Sequence, residues 1–302
     1  MRKRLAALGA MTVAAALALT GCGDDAPKKA SPSASGTAEA PLHDELPESV
    51  KRSGVVRVGS DMLYPPMEFV RNGRPTGVDP DLAAVLGRQL GVRFQFVNGA
   101  LDTLLTGLRA RHYDVVMSAM TDTKDRQEGL DPATGEKIGE DIDFVDYFEA
   151  GSSIMVKKGN PEGVKTLADL CGKKVAVQSG STTYDLLQSQ RCDEPMDIEA
   201  YDTHDEAQAR LKSGAVAADV ADFPVVAYAV KTAGGGKDFE MAGEQIGAGP
   251  YGIAVLSSNT RLRDAIQAAL DAAIRDGSYM EVLKRWNVSE GAVTDATINS
   301  GT

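Results

Sequence analysis

The sequence predicts an α/β protein of two lobes arranged as a clam-shell, with the chain crossing twice between them. Three observations point there. Short β-branched runs alternate with helical periodicity from Val55 onward, and a second run of the same kind begins near Ser153. A strand-like return near Tyr251 then leads into a long closing helix.

Val55-Val56-Arg57-Val58 reads as a strand, and Leu82, Val85, Leu86 and Leu90 recur at helical spacing. Phe94-Gln95-Phe96-Val97 is strand-like, Leu101, Leu104, Leu105 and Leu108 make a helical stripe, and Val115-Val116-Met117 is a strand again. Asp79-Pro80 and Thr123 stand where helix N-caps belong. This alternation predicts a largely parallel sheet with helices on both faces. In the second unit, Ile154-Met155-Val156, Lys174-Val175-Ala176-Val177 and Ala218-Asp219-Val220-Ala221 read as strands, with helical patterns over 182–191, 204–212 and 223–233. Tyr251-Gly252-Ile253-Ala254-Val255 returns as a strand, and Leu262, Ile266, Leu270 and Ile274 mark the last helix. Lobe 1 is then 49–152 plus 250–302, and lobe 2 is 153–249. Ligands of such sheets bind beyond the strand C-termini, which directs attention to the cleft between the lobes.

The N-terminal residues carry export signals. Arg2, Lys3 and Arg4 form a basic start, Leu5 to Thr20 is apolar, and Leu19-Thr20-Gly21-Cys22 resembles a lipobox. The apolar run is shorter than the roughly 20 residues a membrane span needs and has the flanks of a signal peptide. A lipobox requires a thiol to take the diacylglycerol, which makes Cys22 the expected lipidation site; the plainer alternative is a secretory signal with an incidental cysteine. Residues 23–48, rich in Ala, Ser, Pro, Gly, Asp and Lys, are expected to be a flexible tether. The mature chain would sit on the outer face of a membrane, held by lipid alone.

About 250 residues remain, enough for one large domain or two lobes. The net charge of −11 argues against nucleic acid as a partner, since phosphate binding needs clustered Lys and Arg. In an oxidising exterior Cys171 and Cys192 would pair as a disulfide, the alternative being two buried free thiols. His43, His112 and His204 show no metal-ligand spacing, so neither a metal nor another cofactor is expected.

One family resemblance runs from about Val50 to Asn287. Its landmarks are Gly59-Ser60-Asp61 with Tyr64-Pro65-Pro66-Met67-Glu68-Phe69, Gly77-Val78-Asp79-Pro80-Asp81-Leu82, and Asp114 through Thr121 followed by Thr123 and Arg126. Val175 through Thr182, Asp222-Phe223-Pro224, Pro250 through Ala254, and Asp276-Gly277-Ser278-Tyr279 through Trp286 complete the set. In this order they resemble the family 3 extracellular solute-binding proteins of ABC importers. The resemblance implies a periplasmic-binding-protein-like (type II) fold, a small amino acid as ligand, an importer permease as partner, and a monomer.

An α-amino acid presents a carboxylate and an ammonium close together. Arg126 falls where the family places its carboxylate-binding arginine, and its planar guanidinium matches a carboxylate bidentately. By the same resemblance Thr121 adds hydroxyl and amide donors, and Ala119 adds backbone groups. Ser181 and Thr182 begin a helical pattern whose free N–H groups suit the same carboxylate. Asp222 would accept the ammonium. Tyr64 matches the family's stacking aromatic and Asp61 a nearby acid, while Leu101 stands where histidine and lysine/arginine binders can have leucine; Asp61 with Leu101 favours a polar or basic ligand. Each residue also has an ordinary structural reading. Arg126 could pair with Asp125 or Glu128, Ser181 and Thr182 could simply cap a helix, Asp222 could sit in a turn or cap, and Tyr64 could line a core or lip.

Two departures from the family stand out. Residues 129–141 read as an insertion at the cleft rim, suited to altering ligand size or importer docking, and Ala217 replaces a common acid before the strand leading to Asp222. A sensor subunit of the same fold is an alternative function. So is a cleft enzyme such as a dehydratase, for which Asp61, Glu68 and Asp222 are the candidate acids and bases. Ser179 and Ser181 have no evident base.

Overall fold

The computed structural model describes residues 40–302. The expected signal peptide, the expected lipidation site Cys22 and the expected tether as far as residue 39 lie outside the described residues.

Lobe 1 begins with α1 (Glu48–Ser53) and β1 (Val55–Ser60), followed by a small antiparallel sheet of β2 (Leu63–Tyr64), β3 (Glu68–Arg71) and β4 (Arg74–Thr76). Next come α2 (Val78–Leu90), β5 (Arg93–Asn98), α3 (Leu101–Arg109), β6 (Val115–Val116) and the short α4 (Lys124–Glu128). The long β7 (Ile142–Lys157) carries the chain into lobe 2. There β8 (Lys174–Gln178), α5 (Thr182–Ser189), β9 (Asp197–Tyr201), α6 (His204–Ser213), β10 (Ala218–Asp222) and α7 (Phe223–Thr232) follow. The equally long β11 (Phe239–Leu256) returns, and α8 (Thr260–Asp276), α9 (Ser278–Trp286) and β12 (Thr297–Ile298) finish the fold.

The strands run in the order β5-β1-β6-β11-β7-β10-β8-β9, with β12 added on β7. Parallel pairing holds for β1 with β5 and β6, and for β8 with β9 and β10. The central pair, β7 with β11, is antiparallel because the chain leaves lobe 1 on one strand and returns on the other. Helices cover both faces, and the buried apolar side chains divide largely with the lobes, Val225 of α7 being the lobe 2 residue that joins the lobe 1 cluster. One large cluster joins Val56, Val58, Leu82, Leu86, Ile266 and Leu270, while lobe 2 has separate clusters around Val175, Val177 and Val220 and around Leu211, Val226 and Phe239.

Two local expectations change and one holds. Asp79 does not cap α2; the helix starts at Val78 after Gly77, and Asp79 is a fully buried member of its first turn. Pro80 is tolerated there because first-turn N–H groups have no helical acceptor. Thr123 does cap α4, its hydroxyl accepting the Arg126 N–H at 3.3 Å. The tether ends before residue 48. Leu46 is fully buried, the Leu42 N–H donates to the Gln89 carbonyl at 3.1 Å, and Arg261 holds the Asp44 and Glu45 carbonyls. Leu42 and Leu46 lie among Pro, His and acidic residues, which hid their apolar spacing.

Cys171 and Cys192 are joined as a disulfide, with Cα atoms 5.5 Å apart and a sequence separation of 21. It ties the turn before β8 to the loop before β9. Closing a loop of that length stabilises by about 3 kcal/mol in the chain-entropy model. Replacing both cysteines by serine is therefore expected to lower unfolding free energy by up to about 3 kcal/mol, read from denaturant curves, and reductant should shift only the unsubstituted protein.

Candidate functional site

The nine residues expected at the ligand site line one cavity between the lobes, together with Glu68, Ser118, Met120 and Gln178. Topology brings them there. Asp61 follows β1, and Ser118 to Thr121 follow β6, so both stand at the C-terminal ends of parallel strands. Arg126 sits on α4, Leu101 begins α3 and Tyr64 lies in β2. From lobe 2, Gln178 ends β8, Gly180 to Thr182 lead into α5, and Asp222 ends β10. The Ala217 N–H donates to the Lys174 carbonyl, and β10 then runs parallel to β8 with Asp222 at its cleft end.

Four hydrogen-bonded contacts cross the cleft. The Tyr64 hydroxyl donates to Asp222 Oδ2 at 3.0 Å, and Gln178 Nε2 donates to Asp61 Oδ2 at 2.6 Å. Arg126 Nη1 donates to the Thr121 carbonyl at 2.7 Å, while its Nη2 reaches the Gly180 carbonyl of lobe 2 at 3.0 Å. The Thr121 and Thr182 hydroxyls meet at 3.2 Å. Arg126 is thus a cleft residue and not a surface partner of Asp125 or Glu128. Asp222 makes no side-chain cap on α7, and Tyr64 is a cleft residue whose ring also meets His204 edge-on at 5.4 Å.

Two expected roles shift. The Ser181 hydroxyl is committed locally, accepting the Tyr184 N–H at 3.1 Å as N-cap of α5 and donating to the Gln178 carbonyl at 2.7 Å. Thr121 offers its carbonyl to Arg126, leaving its hydroxyl toward lobe 2. Ser118, Met120 and Gln178 were not singled out from the sequence. All three adjoin chosen residues at strand ends, and that position is the signal that could have found them. The 129–141 segment folds back on itself through a bridge between Leu130 and Lys137, and Ile138 is exposed.

Burial governs the charges. It pushes the Asp222 carboxyl up to about 6, against the opposing pull of the Tyr64 and Tyr251 hydroxyls and of the nearby Arg126 and His204. It raises Asp61 as well, partly offset by the Gln178 amide. Burial lowers Arg126 from its ordinary value, while Asp185, Asp222 and Asp122 favour its charge. A cation on lobe 1 and a carboxyl on lobe 2 thus face one cavity. That is the charge pattern of a zwitterion reversed.

The family model for bacterial extracellular solute-binding proteins, family 3, matches residues 56–289. The chain belongs to this family. An arginine-binding protein of Corynebacterium glutamicum is 29% identical over 262 residues, covering 84% of this chain and 81% of its own. The ABC transporter arginine-binding protein 1 of Escherichia coli is 30% identical over 237 residues, covering 76% of this chain and 90% of its own. An ancestral arginine-binding protein bound to arginine has a solved structure that superposes with a TM-score of 0.69 at 36% identity, covering 77% of this chain and 98% of that one. The family's two-lobed α/β architecture is the one described above. No helix among the described residues is long and apolar enough to cross a membrane.

The raised carboxyl makes a stability prediction with a definite sign. A group of ordinary value 3.8 raised to about 6 in the fold favours the folded state when protonated, and that advantage is lost as pH rises from about 4 through about 6. Asp222→Asn should therefore be more stable than the unsubstituted protein at pH 7, by about 3 kcal/mol, with the difference falling to about 0.5 kcal/mol at pH 4. Thermal unfolding of both proteins at the two pH values checks this.

Proposed function

We propose that this protein captures a basic amino acid, arginine first, in the inter-lobe cavity and delivers it to an ABC importer from a lipid anchor at Cys22. The observation that carries the reading is the convergence of Arg126 from lobe 1 and Asp222 from lobe 2 on one cavity that also contains Asp61. Arg126 takes the ligand carboxylate and Asp222 its ammonium. Asp61 is then left for a cationic side chain, with Tyr64 and Leu101 against its apolar stem. The arginine-binding relatives support that choice of ligand. The same relatives are binding proteins, which favours capture and release over a catalytic cycle. Residues 49–152 with 250–302 form one jaw and 153–249 the other, and ligand groups drawn from both make closure part of binding.

Calorimetric titration of protein freed from co-purified ligand, with each of the twenty amino acids, tests the reading. Arginine is expected to bind at micromolar affinity or better, about −8 kcal/mol, with neutral amino acids weaker. Asp222→Ala should lose about 3 kcal/mol or more, because the ammonium would be desolvated without a partner. Tight binding of leucine with none of arginine would remove the basic-ligand reading.

Closure makes its own demand at Gly180. Its φ is +74°, and a Cβ there would lie 2.7 Å from Asp102 Cα of the opposite lobe. Gly180→Ala is expected to obstruct the closed arrangement and weaken arginine binding by about tenfold or more, or about 1.4 kcal/mol. The left-handed backbone adds about 1 kcal/mol of general destabilisation. Comparing titration with ligand-free thermal unfolding separates the two effects.

A further inference from the structure

Glu68 and Asp79 are both fully excluded from solvent beneath the cleft. The sequence brings them together through a tight junction. Gly77, at φ +136°, leaves no room for a Cβ against the Met67 carbonyl, and the Asp79 N–H donates to that same carbonyl at 2.9 Å. The first turn of α2 is thereby pressed onto β3, and the two carboxyls hold adjacent residues of the cleft floor, Glu68 the Ser118 hydroxyl and Asp79 the Ala119 N–H, each feeling the other's charge or proton. No cation among the described residues compensates either of them.

Their donors are unequally shared. Asp79 accepts the Tyr147 hydroxyl on Oδ1 at 2.7 Å and the Ala119 N–H on Oδ2 at 3.1 Å. It also stands in the first turn of a helix, where negative charge is favoured. Glu68 accepts one donor, the Ser118 hydroxyl, on Oε1 at 2.8 Å, and its Oε2 meets no N–H or hydroxyl donor. The Ser118 oxygen in turn accepts the Asp61 N–H at 2.9 Å. Two adjacent buried carboxylates without a cation repel each other and lose their hydration, so one retains a proton.

We propose that Glu68 is held as the neutral acid, donating its proton to Asp79, and that this shared proton fixes the Ser118–Ala119 floor of the ligand cleft. Glu68 is then a positioning residue. Its carbonyl oxygen Oε1 accepts from Ser118, and its Oε2–H donates to Asp79, giving Oε2 the partner it lacks as a carboxylate. Asp79 remains the carboxylate, restraining Ala119 at a φ of +44°, a left-handed conformation that alanine adopts only when held there. Burial raises both carboxyls, but the contact between them acts unequally: Asp79 pushes Glu68 further up, well above the usual carboxylate range, while Tyr147, Ala119 and Glu68 hold Asp79 back at about 6. Asp61, Tyr64, Tyr147 and Tyr251 are the other titratable groups around the pair, and none supplies a positive charge at neutral pH.

The positioning role rests on the cavity being the amino-acid site; the proton itself does not. Glu68→Gln reproduces the neutral acid, since its carbonyl accepts from Ser118 and its amide donates to Asp79. In carboxyl-carbon NMR of the full chain labelled at glutamate, the resonance lost in Glu68→Gln is expected at the protonated-acid position at pH 7. Glu68→Gln should bind arginine at least about tenfold more tightly than Glu68→Leu, which keeps neither the acceptor nor the donor. Asp79→Asn, whose amide would present N–H to Tyr147 or Ala119, should bind at least about tenfold more weakly than the unsubstituted protein. A carboxylate-position resonance for Glu68 at pH 7 overturns the proposal. So does Glu68→Gln binding no more tightly than Glu68→Leu, or unchanged binding in Asp79→Asn. If the unsubstituted protein binds no arginine, the ligand reading fails, and the carbon resonance still decides where the proton is.

Discussion

The antiparallel pairing of β7 with β11 is the constraint on which both lobes depend. These strands are 16 and 18 residues long, and their ladder runs from Ile142 against Leu256 in lobe 1 to Lys157 against Phe239 in lobe 2. Each lobe builds its parallel strands onto one end of the same pair, β6 on β11 and β10 on β7. The lobes therefore cannot separate without bending that ladder. Its register shifts fall between Ala242 and Ile246, between Ile246 and Gly249, and at Tyr251, while the regular pairing lies toward the two ends. Unpaired residues bend and twist a strand locally, so the middle of the ladder can bend while the ends remain part of rigid sheets.

The residues that line the inter-lobe cavity stand close to that compliant middle. Thr121 bridges to Tyr251, and Asp222 pairs with Ser152 at the cleft end of β10. Small rotations at the hinge thus change the distances between Arg126, Thr121, Gly180 and Asp222. Hydrogen bonds weaken steeply with misalignment, which converts a modest lobe rotation into a nearly all-or-none change in the cleft. The crossing strands connect the lobes and also set the geometry in which a zwitterion can be held.

Much of this was legible in the sequence where burial was one-sided or the run was short. The strands around Val55, Val115, Lys174 and Ala218 and the helices after Thr182, His204 and Phe223 announce themselves by β-branched runs and helical spacing. β7 does not, because it is buried on both faces for most of its length, so alternation is missing and only Ile154-Met155-Val156 reads as strand. The β2–β3–β4 sheet is built from strands of two to four residues, too short to show any period. Among site residues, Arg126 and Asp222 came from the family pattern; on spacing alone each was an ordinary surface or cap residue. Ser181 illustrates the limit of such reading, because the chemistry that suits a ligand donor also suits a helix cap, and only coordinates reveal that its hydroxyl performs the latter.

The acidic character of the cleft explains why its residues are costly to the fold and useful to the site. Asp61, Glu68, Asp79 and Asp222 are gathered there with a single arginine, and burial raises all four carboxyls. An interior designed only for stability would replace them with apolar side chains of similar volume. On the proposed function a cationic ligand would change the balance, since it would bring opposite charge to the side of the cleft where Asp61 lies, beyond what Arg126 supplies. It would restore ionisation to Asp222 and Asp61 without the desolvation being spent on an unpaired group. Selectivity follows from the same imbalance. A neutral amino acid would satisfy Arg126 and Asp222 and leave Asp61 buried with only its Gln178 bond, whereas a basic one would meet all three. The energy withheld from folding becomes available as discrimination between ligands.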